Sequence, residues 1–132
     1  MTKAFLYNFM RQHKFAVLAT VSPANIPESA CVGIAVTPGL EIIFDTVSDS
    51  RKYKNLLLNP NISFVIGCDK EQTVQYEGIA TVPNTNDLDK LLEYYFAVFP
   101  DGKNRKENWK TLHTSACSLN GSVIQTLMKQ HK

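Results

Sequence analysis

The sequence predicts an α+β protein, mainly β with flanking helices, whose antiparallel strands curl into a small barrel. Three observations support this fold class. Short runs rich in apolar and β-branched residues alternate with turns that contain Pro, Gly and Asn. Three longer segments repeat apolar residues at helical spacing. About five strands in about 70 residues would leave open edges unless the sheet closes or pairs with a second copy.

The composition is that of an ordinary globular domain. The 132 residues suit one domain, and the net charge of +2 does not indicate a nucleic-acid binder. Three cysteines and three histidines show no metal-ligand spacing, so we expect no metal site. The sequence shows neither a signal peptide nor a long apolar span, and we therefore expect a reduced, cytoplasmic protein with no membrane partner.

The first elements are a helix and two strands. Thr2 can cap a helix over residues 3–13, where apolar residues recur at helical spacing. Phe15–Val21 is a nearly continuous apolar run, which predicts a strand buried on both faces. Glu28–Val36 predicts a second strand with one bulky face and one bare face. The bare face consists of Ser29, Cys31, Gly33 and Ala35.

Two interpretations of the bare face remain open. A flat ligand or another backbone could approach it closely, because its side chains are small. Alternatively, a large side chain from a neighbouring helix could pack over it.

The middle of the chain predicts three more strands and a helix. Leu40–Asp45 follows a Pro-Gly turn and forms a hairpin with the second strand. Ile62–Gly67 is the fourth strand, and Thr73–Val82 alternates cleanly as the fifth, with Gly78 as an expected bulge or bend. Residues 87–99 then carry apolar residues at helical spacing.

The stretch Phe44–Pro60 predicts a strand end, a polar turn and a short helix. Arg51 and Lys52 fall in the first helical turn, where the helix dipole disfavours cations. One interpretation is that both cations are solvated and neutralised by Asp49. The other is that they hold an anion, because neighbouring hydroxyls would complete a phosphate cradle. Those hydroxyls belong to Thr46, Ser48 and Ser50.

Taken together, these segments resemble one known family. The order and spacing of its motifs match Val17–Val21, Pro27, Phe44, Thr46, Ser50-Arg51-Lys52, Asn55-Leu56, Asn59-Pro60 and Thr73–Gly78. Over about three quarters of its length, residues 3–99, the chain resembles the pyridoxamine 5'-phosphate oxidase-like FMN-binding split-barrel family, in particular its general-stress and nitroimidazole-reductase-like members.

The resemblance implies a fold, a cofactor and a partner. The family fold is an antiparallel split β-barrel of the FMN-binding type, which usually forms a homodimer with FMN in a groove at the interface. Residues 1–100 would form this domain, and residues 101–132 would add an atypical C-terminal segment of the same domain. The cofactor-binding residues implied by position are Thr46, Ser50, Arg51, Lys52 and Thr73; no catalytic residue is implied.

The sequence also departs from the family pattern. The oxidase itself places an arginine and a lysine in the second strand, where this chain has Ala30 and Ala35. This difference argues against pyridoxamine phosphate as the substrate. Family members close the barrel with late strands, but Arg105 and Trp109 stand here without a strand pattern. Further on, Val123–Met128 could form an amphipathic helix.

Three functional hypotheses follow. The first is an FMN-dependent oxidoreductase that passes electrons from a reduced nicotinamide to a small acceptor. The second is a non-catalytic binder or sensor of FMN, haem or another flat cofactor, for which His13 and His113 are weak candidates as axial ligands. The third is a decayed site on a surviving dimer scaffold, which Ala30 and Ala35 would favour.

Overall fold

The computed structural model describes residues 2–47, 49–67, 72–83, 85–101 and 112–118. This part of the chain contains three helices: α1 (Lys3–Met10), α2 (Arg51–Leu58) and α3 (Thr85–Val98). Its strands are β1 (Phe15–Val21), β2 (Pro27–Gly33), β3 (Ala35–Val36), β4 (Ile42–Val47), β5 (Asn61–Ile66), β6 (Val74–Thr81) and β7 (Leu112–Ser118). None of the described helices is both long and apolar enough to cross a membrane.

All described strands form one antiparallel sheet in the order β2-β1-β5-β6-β7-β4-β3. Its two edge strands, β2 and β3, are separated in the chain by Ile34 alone. The Ile34 N–H donates to the carbonyl of Lys14 at 2.8 Å, which continues the pairing beside β1. One bent segment therefore supplies both edges, so the sheet must curl until they meet. The α+β class and the antiparallel split-barrel fold are confirmed.

The interior of the curled sheet is the main core. Phe44, Phe64 and Tyr76 are fully buried there, and the Phe44 and Phe64 rings meet edge to face with centroids 5.6 Å apart. The Tyr76 hydroxyl donates to the Leu40 carbonyl at 2.9 Å, which satisfies a buried polar group. α1 contributes Met10 to the same core.

β1 has the predicted bounds but not the predicted burial. Ala16, Leu18 and Thr20 point into the core, whereas Phe15 is 59% exposed and Val17 is 37% exposed. The prediction that both faces are buried is therefore wrong. The apolar run faces outward at alternate positions. On this outer face the Phe99 ring, which follows α3, covers Phe15 in part, with ring centroids 5.9 Å apart.

The bare face of the second strand is covered over half its length. A Cβ atom added to Gly33 would lie 2.8 Å from Phe99 Cζ, just beyond the end of α3. Ala35 is buried with Ile43 and Tyr95 in a second small core under the same helix. Over this half of the face, the interpretation that large side chains from a neighbouring helix pack over it is correct. The other half, with Ser29 and Cys31, is exposed.

Several predicted boundaries shift for local reasons. α1 ends at Met10 rather than at residue 13, because Arg11 caps it and a turn follows. The predicted strand Glu28–Val36 divides at Ile34, where the sheet bends. β4 starts at Ile42, two residues after the predicted start, because Leu40 has a φ of 66° that belongs to the preceding turn.

The fifth predicted strand, β6, is regular. Gly78 pairs with Ile62 in an unbroken one-to-one register, so the predicted bulge is wrong. Val82, the last residue of the predicted strand, lies beyond the observed one and is 62% exposed.

The C-terminal region contains a strand that the sequence did not indicate. β7 pairs with both β4 and β6 and lies between them in the sheet. Its sequence, Leu112–Ser118, is short and polar. Pairing with β4 and β6, rather than the strand propensity of its own residues, therefore makes this segment a strand. Arg105, Trp109 and the helix expected over Val123–Met128 lie outside the described residues.

Candidate functional site

The candidate site is built at the junction of β4 and α2. Ser50 is the N-cap of α2, and its Oγ accepts a hydrogen bond from the Tyr53 N–H at 3.3 Å. Thr46, near the end of β4, is 3% exposed, and its Oγ1 lies 2.8 Å from Ser50 Oγ. The predicted helix is present, and so are two of the three predicted hydroxyls; the third, on Ser48, lies outside the described residues.

The two cations of the first turn differ in their environment. The Arg51 side chain is 78% exposed, and its Nη1 lies 3.1 Å from Oε2 of Glu28 in β2. Lys52 is half-buried. The carboxylate that pairs with Arg51 is therefore Glu28, which neither sequence-based interpretation anticipated; the solvated alternative had assigned Asp49.

A buried amide holds Glu28 from the other side. Asn55 is 3% exposed, and its Nδ2 donates to Glu28 Oε1 at 2.7 Å and to Thr20 Oγ1 at 3.0 Å. Asn55 is the buried residue of α2, whereas the apolar side chain of Leu57 is 64% exposed. The one signal in the sequence was the spacing of Asn55, four residues after Arg51 and thus on the same helical face.

Several of these side chains line a small cavity of about 130 Å³. Its lining consists of Leu18, Thr20, Glu28, Ser29, Ala30, Ser50, Arg51 and Lys52. Ala30 stands at the cavity, so this position of β2 contributes no charge to the lining. Ala35 is buried under α3 instead. The charged groups of the lining are two cations and one carboxylate, beside the positive end of a helix dipole.

A larger cavity of about 460 Å³ adjoins the small one, since Thr20 contributes to both. It lies across β1, β5 and β6, with small residues such as Ala19, Ser63 and Gly78 in its lining. Glu77 is its ionisable residue. A volume of this size is in the range of sites for small ligands.

Thr73 is the predicted site residue that the fold keeps apart. It directly precedes β6, whose first residue, Val74, pairs with Ile66 at the end of β5. α2 leads into the opposite end of β5, at Asn61. At about 3.3 Å per residue, the two ends of β5 lie about 16 Å apart. Within one chain, the structure brings Thr46, Ser50, Arg51 and Lys52 together but leaves Thr73 remote.

Comparisons of this fold with solved structures give several matches. A candidate pyridoxamine 5'-phosphate oxidase from Listeria innocua is 14% identical, with a TM-score of 0.70, and 94% of this chain and 98% of that one are covered. HutZ, the haem storage protein from Vibrio cholerae, is 13% identical, with a TM-score of 0.75 and coverage of 90% of both chains.

A third match is a protein of unknown function from Agrobacterium tumefaciens, which is 16% identical with a TM-score of 0.73. The match covers 83% of this chain, which spans about half (49%) of that protein. At these identities the likeness concerns the fold alone. No curated protein matches the sequence.

The sequence itself carries the family assignment. The family model described as pyridoxamine 5'-phosphate oxidase matches residues 2–115, a range that begins before α1 and ends within β7. This range includes β1 to β6, the first part of β7 and the whole site at the start of α2. The chain belongs to the pyridoxamine 5'-phosphate oxidase family.

Proposed function

We propose that the protein is an FMN-binding flavoprotein, and that it acts as an oxidoreductase between a reduced nicotinamide and a small acceptor. One observation carries the proposal: a capping hydroxyl, Arg51 and Lys52 line one cavity at the N-terminus of α2. Free N–H groups, a hydroxyl and cations are the groups that bind a phosphate.

The residues present fit the phosphate of FMN. Ser50, Arg51 and Lys52 would hold it, and Thr46 fixes the Ser50 hydroxyl through the 2.8 Å contact. The exposed Arg51 side chain is free to turn towards an anion, because only its tip is engaged by Glu28. When bound, FMN supplies the hydride and electron-transfer chemistry, so the protein needs to bind and orient rather than to provide a general base.

Pyridoxamine phosphate is not the substrate that we propose. Its recognition would call for the second-strand cations of the oxidase, and this chain has Ala30 at the cavity and Ala35 under a helix. A substrate without a phosphate of its own agrees better with a cavity whose cations serve the cofactor.

We also propose a homodimer that covers the outer face of β1. Phe15 and Val17 expose apolar surface there, and Val17 pairs in register with the exposed Cys31. An apolar strip on a sheet is typical of a surface that binds another chain. In such a dimer, Thr73 of one copy could reach the site of the other, which would explain why it is remote from α2 within one chain.

The test is an absorption spectrum of the purified protein, repeated after FMN is added and the sample is desalted. The proposal expects the bands of oxidised flavin to stay with the protein and to bleach when a reduced nicotinamide is added. Flavin that separates completely on the column and shows no saturable binding in a titration would contradict it.

Haem binding is a second candidate. It is supported by the fold shared with HutZ and by the register of β7, which sets His113 opposite Thr46 at the candidate site. His13 is a poorer axial ligand because its ring packs against Phe9, with centroids 5.0 Å apart. A Soret band that the protein retains and that His113→Ala shifts or removes would favour haem over FMN.

A further inference from the structure

Glu28 places a fixed negative charge in the cavity that would receive a phosphate. Its carboxylate is 21% exposed and lines the same cavity as Ser50, Arg51 and Lys52. Oε2 pairs with Arg51 at 3.1 Å, and Oε1 accepts from Asn55 at 2.7 Å. Both oxygens are therefore held, one by an exposed cation and the other by a buried amide.

The two partners of Glu28 constrain it unequally. Arg51 is 78% exposed and can turn away at little cost, because exposed ion pairs are weak. Asn55 is buried and is itself bonded to Thr20 at 3.0 Å, so it keeps the carboxylate at the cavity wall. A phosphate that recruits Arg51 would consequently remain beside the Glu28 carboxylate, and like charges at close range repel.

We propose that Glu28 is a specificity-determining residue that lowers the affinity of this site for a phosphate dianion. The inference rests on the proposed function, since it concerns the phosphate end of the FMN site. With Glu28 present, the site therefore discriminates less strongly between FMN and riboflavin, which lacks the phosphate, than it would with an uncharged residue at this position. The carboxylate offsets part of the attraction that Arg51 and Lys52 provide.

The substitution Glu28→Gln isolates the charge. Glutamine has the same shape and keeps an acceptor oxygen for Asn55, but it leaves Arg51 free for a phosphate. The matched control is Glu93→Gln, which removes the same charge from an exposed position on α3. Glu28→Ser is a second variant that removes the charge without adding an amide.

The experiment measures dissociation constants for FMN and for riboflavin with the wild type and the three variants. Glu28→Gln and Glu28→Ser should bind FMN at least about tenfold more tightly, because a like charge has gone, and riboflavin within about twofold. Glu93→Gln should leave both constants unchanged. Riboflavin serves as the internal measure of an intact fold.

A double-mutant cycle strengthens the test. Arg51→Ala should weaken FMN binding more in the Glu28→Gln background than in the wild type, because Arg51 is then no longer shared with a carboxylate. If the wild type binds FMN and the Glu28 variants bind it no more tightly while riboflavin affinity is unchanged, the inference about Glu28 is wrong and the FMN site stands. If no variant binds either flavin, both proposals are wrong.

Discussion

Thr46 Oγ1 lies 2.8 Å from Ser50 Oγ, and this hydrogen bond joins the end of β4 to the first turn of α2. Thr46 is buried and Ser50 caps the helix, so the sheet fixes where the helix begins. The cations of that first turn are thereby held at a defined place on the barrel. The anion-binding capacity of the site depends on this junction.

The two roles of Ser50 can be separated by substitution. Ser50→Asp keeps a good capping residue, so the free energy of unfolding should change by less than about 0.5 kcal/mol, but its carboxylate should repel the FMN phosphate. Ser50→Ala loses the cap and should cost about 1 kcal/mol. Urea unfolding and FMN titration measure the two effects. Unchanged FMN affinity in Ser50→Asp would place the phosphate elsewhere.

Asn55 is predicted to be a structural support of the site. Asn55→Ala removes two donated hydrogen bonds and leaves the buried hydroxyl of Thr20 without this partner, so it should lower the free energy of unfolding by about 1–3 kcal/mol. Asn8→Ala, on the exposed face of α1, is the matched control and should have little effect. Equal stabilities of the two variants in urea would refute the supporting role.

Gly67 is predicted to tolerate no side chain. It has a φ of +85°, and an added Cβ would lie 2.8 Å from Phe9 Cζ and 3.2 Å from the Gln72 carbonyl oxygen. Gly67→Ala should therefore destabilise the protein by about 1–3 kcal/mol. Gly39→Ala is the control, since its Cβ would meet Thr37 at an ordinary 3.7 Å. Thermal unfolding compares them, and equal midpoints would contradict the account of this turn.

The proposed dimer depends on the outer face of β1. Val17→Lys places a charge at the centre of the exposed apolar strip, while the inward-facing core residues of the same strand are unchanged. Light scattering at micromolar concentration should show a dimer for the wild type and a monomer for the variant. A control charge at Val82, exposed beyond β6, should leave the dimer intact. A monomeric wild type would exclude this interface.

Local patterns in the sequence predicted much of the fold. The bounds of β1 and the position of Arg51 and Lys52 in the first turn of a helix follow from runs of a few residues, and the structure agrees with both. β7 could not be predicted in this way, because its place is determined by pairing with β4 and β6. The outer face of β1 was misjudged because an apolar run does not reveal which layer will cover it.

The candidate site was likewise predicted only where its residues are neighbours in the chain. Thr46, Ser50, Arg51 and Lys52 lie within seven consecutive residues, so their proximity could be expected. Glu28 reaches Arg51 and Asn55 from β2, 23 and 27 residues away in the chain, and only the sheet register brings it there. The Glu28 carboxylate was therefore not among the site residues that the sequence predicted.

The most direct test of the central claim is the FMN dissociation constant of the double variant Arg51→Ala and Lys52→Ala. Its control is Lys3→Ala with Lys54→Ala, which removes two exposed cations outside the cavity lining. We expect the first variant to lose about 1.5–3 kcal/mol for each charge-assisted contact, and the control to bind as the wild type does. Equal FMN affinity in the two double variants would show that the N-terminus of α2 does not hold the phosphate.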